Sequence, residues 1–407
     1  MLNWFLPVMF VSVPLMFYDI TTLFRSGILI VWPLVFLIFK PIDFRKNTPI
    51  VFLFIGILIC YIFSWQINEQ SYTNFLFGAY GRNLGVLALI GLYLLTLESA
   101  DHYSVHSKDL IKSFYILLGL AIAYGFIQIL KLDPIKWEKG SGYGSTLGNP
   151  NFSSALLGIL SIIPLVYFFK VKSYIRYVHL TISALTLIVI FFSGSSQGFI
   201  LFFVNFLLYI LFTNKINAKI RKIKKLIIIL PTLIFSSVVI FLGIAQFSFM
   251  AKLINSSLQV TQRLEHWKLG YNIWKDHPIF GVGLDNMQKY GGEYRSLDMT
   301  RWGQYTLPDR SHNVLIDSFV FGGLIAGILH CVFIFLVFRA ILRLSRNKEK
   351  GAILDWPIIV ISSVWFTYFL QSLISPDHIL LTACGMMAAG ALLGIDNLNK
   401  KNGVRNE

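Results

Sequence analysis

Residues 314–338 read VLIDSFVFGGLIAGILHCVFIFLVF, an apolar run that directly follows the polar segment DRSHN at 309–313. About 20 mostly apolar residues are enough to cross a hydrocarbon core of roughly 30 Å, so the run predicts a membrane-spanning helix. Upstream, residues 262–287 read QRLEHWKLGYNIWKDHPIFGVGLDNM and bring Arg, His, Asp and Trp together in an otherwise apolar chain. We therefore expect the functional site where this polar stretch meets the helix.

Composition places the whole chain in the membrane. Of its 407 residues, 56% are hydrophobic and only 14% are charged, and the mean hydropathy is +0.67, which is more apolar side chain than a soluble core can bury. The net charge of +15 does not indicate a nucleic-acid partner, because the basic residues lie in clusters between apolar runs, as in cytoplasmic loops. The sequence predicts an all-α polytopic membrane protein without a metal site or cofactor.

The length criterion predicts about twelve spans along the chain. They cover residues 2–17, 21–39, 50–65, 84–97, 113–130, 153–169, 177–192, 198–212, 226–247, 313–338, 356–374 and 378–395. The predicted organisation is nine spans within 1–247, a long loop at 248–312, three spans within 313–395 and a tail at 396–407.

Basic residues predict the orientation. With a cytoplasmic amino terminus, 22 of the 35 Lys and Arg residues fall in inner segments, whereas the opposite orientation reverses this bias. Both termini are therefore expected in the cytoplasm, and the long loop is expected to be periplasmic.

Part of the long loop has helical spacing. Between residues 261 and 275, apolar and aromatic side chains recur at three and four residues: Leu264, Trp267, Tyr271 and Trp274. Such a stripe predicts an amphipathic helix lying on the membrane surface, with Arg263 at the height of lipid phosphates. Two shorter outer segments, FGAYGRNLG at 77–85 and TLGNPNF at 146–152, expose backbone donors suited to an anion or a sugar, although their glycine content is equally typical of ordinary turns.

These segments together resemble the O-antigen ligase and polymerase superfamily of integral-membrane glycosyltransferases. The motifs that carry the resemblance are Arg263-x3-Trp267, DHPIFGVG at 276–283, SHN at 311–313, Gly322-Gly323, and the two outer segments named above. The resemblance covers roughly residues 75 to 335. It implies transfer of a glycan from an undecaprenyl-diphosphate carrier to an acceptor hydroxyl on the periplasmic face of the bacterial inner membrane. The acceptor is lipid A-core, another glycan or a protein in different members.

One position departs from the family pattern. After the seventh span the family usually carries Ser-Arg-Gly, with an arginine that engages the diphosphate, but this chain reads SGSSQG at 193–198. Gln197 therefore stands where the arginine is expected. A glutamine amide donates hydrogen bonds but brings no charge.

The resemblance and the residue chemistry suggest roles for individual side chains. A diphosphate is a good leaving group, so the reaction needs a base for the incoming hydroxyl and cations for the departing charge. His312 is the candidate base and Arg263 the candidate diphosphate clamp, each weighed against a plain structural role. The remaining candidates are Arg82, Arg310 and Gln197 at the diphosphate, and Asp317, Asn313 and Asn149 as supporting residues.

Other functions stay open from the residues alone. A transporter, for which inorganic carbon is one substrate class, would place ionisable residues near mid-membrane in two related halves. The polar residues here instead concentrate in one loop and at one helix mouth. Ligase, polymerase and protein O-oligosaccharyltransferase share the donor and differ in the acceptor, so these residues do not separate them.

Overall fold

The computed structural model describes residues 2–12, 22–135, 143–213, 250–297, 299, 307–346 and 355–404. Regular structure within these ranges is entirely helical. The predicted ninth span at 226–247 and the basic cluster at 215–225 lie outside the described residues.

Fifteen α-helices are seen in the described ranges. In chain order they are α1 Phe5–Val11, α2 Leu23–Phe39, α3 Thr48–Ile67, α4 Tyr72–Phe77, α5 Val86–His102, α6 Ser107–Ile129, α7 Pro150–Leu160, α8 Ile162–Lys170, α9 Arg176–Ser193, α10 Ser196–Thr213, α11 Met250–Asp276, α12 Met287–Gly291, α13 Val314–Arg346, α14 Trp356–Ser372 and α15 Ile379–Val404.

Seven helical segments of the described residues are long and apolar enough to cross a membrane. They are Phe44–Ile67, Ser107–Ile129, Pro150–Lys170, Arg176–Ser193, Ser196–Thr213, Val314–Ser345 and Ile379–Lys400. Two shorter apolar helical segments cover Leu2–Val11 and Leu23–Phe39. The all-helical, multi-pass class is therefore confirmed, while the total of twelve spans stays a prediction.

Small residues let the helices of the bundle approach closely. Helix α5 packs along α15, and a methyl group placed at Gly390 or Gly394 would overlap the carbonyl oxygens of Thr96 and Ala100. Close backbone approach through glycine is a common way to associate helices within a membrane, where lipid leaves no hydrophobic driving force between them.

Helix α13 is broken at Gly323, whose φ of 72° lies in the left-handed region. The turn that follows α11 fills the gap in its backbone hydrogen bonding. The N–H of Val282 donates to the carbonyl of Val320 (2.8 Å), and the N–H of Leu324 donates to the carbonyl of Pro278 (2.8 Å). A side chain at Gly323 would overlap the Ile279 carbonyl. The glycine and the turn therefore fix α11 and the first part of α13 relative to each other.

The two ends of the bundle differ in character. At one end, Lys40 Nζ lies 3.2 Å from Nδ1 of His102, and Lys170 Nζ lies 3.6 Å from the centre of the Trp356 ring. The other end carries the starts of α5, α7, α13 and α15 and the segments that precede them. Described residues of the outer segments 77–85 and 146–152 and of the long loop meet at this second end.

Candidate functional site

A cavity of about 240 Å³ lies at this second end of the bundle. Its volume corresponds to about eight water molecules at roughly 30 Å³ each. The turns before α5 and α7, helix α11, the segment before α13 and the turn between α14 and α15 all contribute side chains. The cavity is lined by Arg82, Asn149, Asn151, Phe152, Gln262, Arg263, His266, His312, Ser375 and Pro376.

His312 and Asn313 directly precede α13, and the His312 side chain reaches the cavity from there. Its φ of 60° is in the left-handed region, an uncommon conformation for a residue other than glycine and one often found at functional sites. The next residue, Asn313, caps the helix, since its Oδ1 accepts from the backbone N–H of Leu315 (3.0 Å) and of Ile316 (3.3 Å). The cap fixes where the helix begins and so where the imidazole stands.

Asp317 holds the backbone on the other side of His312. Its Oδ1 accepts a 2.7 Å hydrogen bond from the N–H of Ser311 and a second from the Ser311 hydroxyl. The two residues predicted to support His312 therefore act on the chain at either side of it, and the hydrogen bonds described here do not reach the imidazole itself.

A second histidine, His266 on α11, lies against His312. The two ring centroids are 4.8 Å apart, and the planes meet edge to face at 63°. His266 is three residues after Arg263 on the same helix, so both side chains reach the cavity from one face of α11.

Both imidazoles are uncharged at neutral pH. Burial, together with the neighbouring His266, lowers the pKa of His312 to about 3; Arg82 and Arg263 act in the same direction, and Asp309 opposes them. Burial likewise lowers the pKa of His266 to about 4. A neutral imidazole has a free nitrogen lone pair, so either ring is in the form that accepts a proton.

The two arginines of the cavity differ in their counter-ions. Arg82 is paired with Asp309 through both of its contacting nitrogens: Nη2 lies 3.3 Å from Oδ1, and Nε contacts Oδ2. Arg263 has a pKa lowered by burial, and no carboxylate of the described residues forms an ion pair with it. Arg263 therefore presents an uncompensated positive charge to the cavity.

Arg310 lies apart from the cavity lining. Its side chain is 4% exposed and is held by Asp285 (2.5 Å) and Asp377 (3.2 Å). Asp285 also accepts from the backbone N–H of Ala79 (3.1 Å). The attraction of these carboxylates raises the pKa of Arg310 despite its burial. Arg310 thus joins three segments of the chain in a buried ion cluster.

The two candidate amide side chains occupy different places. Asn149 lines the cavity and caps α7, because its Oδ1 accepts from the N–H of Asn151 (2.8 Å). Gln197 is buried in the first turn of α10, and neither end of its amide has a hydrogen-bond partner in the part of the chain that the structure describes. It lies two residues from Ser195, whose hydroxyl contacts Asn151 Oδ1 at 2.8 Å.

Sequence reasoning missed His266 and Asp309. In the sequence, His266 falls between Leu264 and Trp267 of the aromatic stripe and resembles an ordinary polar residue beside it. The signal that would have found it is its spacing of three residues from Arg263, which puts both on one helical face. Asp309 stands in the same DRSHN segment as His312, but its pairing with Arg82 depends on contacts between distant segments.

Comparison with known proteins identifies the class. Residues 181–331 match the family described as O-antigen ligase. This match contains His312, Arg263, His266 and Gln197, and it confirms the resemblance drawn from the motifs. No curated protein matches the chain.

The chain is thus a multi-pass membrane protein whose residues 181–331 match the O-antigen ligase family. The activity general to that family is glycan transfer of the ligase or polymerase type. Arg82 and Asn149 lie before the matched segment, and the fold brings them to the same cavity.

Proposed function

We propose that this protein transfers a glycan from an undecaprenyl-diphosphate carrier to an acceptor hydroxyl at the periplasmic face of the bacterial inner membrane. The observation that carries the proposal is one cavity that combines a neutral His312 with Arg263 and Arg82. The cavity lies at the end of the bundle opposite Lys40 and Lys170, and the positive-inside rule assigns such a basic end to the cytoplasm. Residues 248–312 then form a periplasmic segment, and both termini are cytoplasmic.

The arginines serve the leaving group. A guanidinium offers planar paired donors that match phosphate oxygens, and a cation beside the departing oxygen stabilises the charge that develops there. Arg263 has no carboxylate to displace, so it is the principal diphosphate ligand. Arg82 assists from the turn before α5 while keeping its pairing with Asp309.

His312 serves the acceptor. The acceptor hydroxyl gives its proton to the neutral imidazole, and its oxygen bonds to the anomeric carbon of the donor sugar. The bond from that carbon to the phosphate oxygen breaks, and the electron pair leaves with the diphosphate. A nearby phosphate anion stabilises the protonated form of an imidazole, so the bound donor favours the transfer of the acceptor's proton to His312.

The other candidate residues have supporting parts in this proposal. Asp317 and Asn313 fix the backbone around His312, and Asn149 orders the wall of the cavity at the start of α7. Arg310 maintains the ion cluster behind the site, whereas Gln197 offers a neutral amide near Asn151. The acceptor class, which is lipid A-core or growing polysaccharide in ligases and polymerases and a protein in oligosaccharyltransferases, depends on surfaces beyond these residues.

The test uses purified protein in lipid nanodiscs with an undecaprenyl-diphosphate glycan as donor. Lipid A-core, free glycan and a pilin-like protein are offered as separate acceptors, and products are detected by mass spectrometry. We expect transfer to one acceptor class, and a loss of about 10²- to 10⁴-fold in His312→Ala. His277→Ala, which removes an imidazole outside the cavity lining, is the matched control. Full activity of His312→Ala would rule out this residue as the base.

A further inference from the structure

The cavity contains an imidazole that the proposed mechanism does not use. His266 is 7% exposed, lines the cavity, and has a buried Nδ1 without a hydrogen-bond partner in the described ranges. Buried polar atoms in native proteins are nearly always satisfied, and an exception calls for an explanation such as a missing ligand. Because His266 also lines the cavity beside Arg263, an anion bound there would lie against its ring.

We propose that His266 is a donor-binding residue: when the donor's phosphates enter, its imidazole takes up a proton and becomes a cation beside Arg263, while His312 stays neutral. This inference rests on the proposed function, since it assumes a phosphate-bearing donor in this cavity.

The charge of a bound diphosphate favours a further cation in this cavity. A diphosphate ester carries at least two negative charges, whereas Arg82 is already paired with Asp309. That leaves Arg263 as the cavity arginine whose charge no carboxylate of the described residues compensates. A protonated His266, three residues further along α11, brings a second positive charge to the same wall.

The contact between the two imidazoles limits how many protons they take up when the donor binds. With ring centroids 4.8 Å apart in a buried cavity, two imidazolium ions repel each other, so donor binding adds one proton to the pair; a second joins it only in the transfer step, as the diphosphate leaves. His266 shares one face of α11 with Arg263, the proposed diphosphate ligand, so we assign the proton to the ring nearer the bound phosphates. His312 then stays unprotonated until the acceptor hydroxyl is in place.

The surroundings of the pair are mixed in charge. The groups that act on it are Arg82 from the turn before α5, Arg263 and Glu265 from α11, and Asp309 from the segment before α13. The turn between α14 and α15 presents the uncharged Ser375 and Pro376 to the cavity. Burial outweighs the acidic groups, and both rings are neutral. The arriving phosphates add the negative charge that reverses this balance for His266.

Proton uptake on ligand binding tests the inference directly. The full chain in nanodiscs is titrated with farnesyl diphosphate by isothermal calorimetry at pH 6, in two buffers of different ionisation enthalpy. We expect wild-type protein to take up about one proton more than His266→Phe, whose ring keeps the contact with His312 but cannot be charged. Linkage further predicts that wild-type affinity falls by up to roughly tenfold more per pH unit than that of the Phe variant as pH rises from 6.

Two variants identify the residue that carries the proton. His312→Phe should retain the extra uptake, and His277→Phe, outside the cavity lining, should behave as wild type. Equal uptake by wild type and His266→Phe would overturn the inference, as would loss of uptake in His312→Phe alone. Absence of any farnesyl diphosphate binding in wild type would instead contradict the diphosphate donor of the proposed function and, with it, this role for His266.

Discussion

Arg263 and Arg310 were both candidate phosphate ligands in the sequence, with Arg263 ranked first, and the fold gives them opposite surroundings. Arg310 lies between two carboxylates, with its side chain 4% exposed. Arg263 lines the cavity, and its pKa is shifted by burial alone. The difference teaches that the counter-ion, rather than the residue type, decides whether a buried arginine holds the protein together or is available to bind an anion.

Removing Arg310 should have the largest effect on the folded protein. Arg310→Ala leaves Asp285 and Asp377 without their shared cation, and an uncompensated buried charge costs about 3–5 kcal/mol. We expect little monodisperse protein in detergent by size-exclusion chromatography, whereas Arg82→Ala should stay folded because Asp309 is 27% exposed and reaches water. Stable Arg310→Ala protein with a raised KM for the donor would instead indicate that Arg310 binds the donor and does not stabilise the fold.

Replacing Arg263 should act on the donor and not on the fold. Arg263→Lys keeps the charge but loses the paired donors of the guanidinium, so we expect the donor KM to rise about tenfold, equivalent to roughly 1.4 kcal/mol. The acceptor KM and the thermal midpoint should change little. Equal increases for donor and acceptor would indicate that Arg263 shapes the site instead of binding phosphate.

Neutralising Asp309, the counter-ion of Arg82, should make Arg82 bind the donor more strongly, as Arg263 is expected to do. In Asp309→Asn the guanidinium loses its carboxylate, so at pH 8, where the imidazoles are neutral, the donor KM should fall about fivefold, or roughly 1 kcal/mol. Asp285→Asn is the matched control, because it removes a carboxylate from the Arg310 cluster. That control should lower the thermal midpoint without tightening donor binding. A fall in donor KM in Asp285→Asn as well would contradict the distinction between an arginine that binds the donor and one that stabilises the fold.

Gln197 should give the smallest change. Because both ends of its buried amide lack a partner in the described part of the chain, Gln197→Leu removes unsatisfied polar atoms at similar volume, and stability should be equal or higher. If the amide meets the donor, its loss raises the donor KM by about threefold, less than the effect of an arginine. A lowered thermal midpoint would show that the amide is bonded in the protein and contributes to the fold.

The sequence was sufficient for the helical membrane class and for the convergence of distant segments on one site. Arg82, Asn149, Arg263 and His312 were proposed from four separate stretches, and all four line the cavity. Apolar run length indicated the helical class and motif order brought these residues together, while their roles in the site stay predictions.

The roles of charged residues were harder to predict, because they depend on distant partners. Arg310 was a candidate phosphate ligand in the sequence, whereas in the structure it donates to Asp377, which is 67 residues further along the chain. The break in α13 was also hidden, since residues 314–338 form a continuous apolar run. Only the hydrogen bonds from the turn after α11 make Gly323 a stable interruption.

The break at Gly323 makes residues 314–322 a separate helix of about two and a half turns. Its carbonyl end is hydrogen-bonded to the turn after α11, and its amino end lies directly after His312 and Asn313. Aligned peptide dipoles produce roughly half a positive charge at the amino end of a helix, acting within the first turn. The backbone itself therefore places a positive potential beside the candidate base, and unlike an imidazole it does not vary with pH.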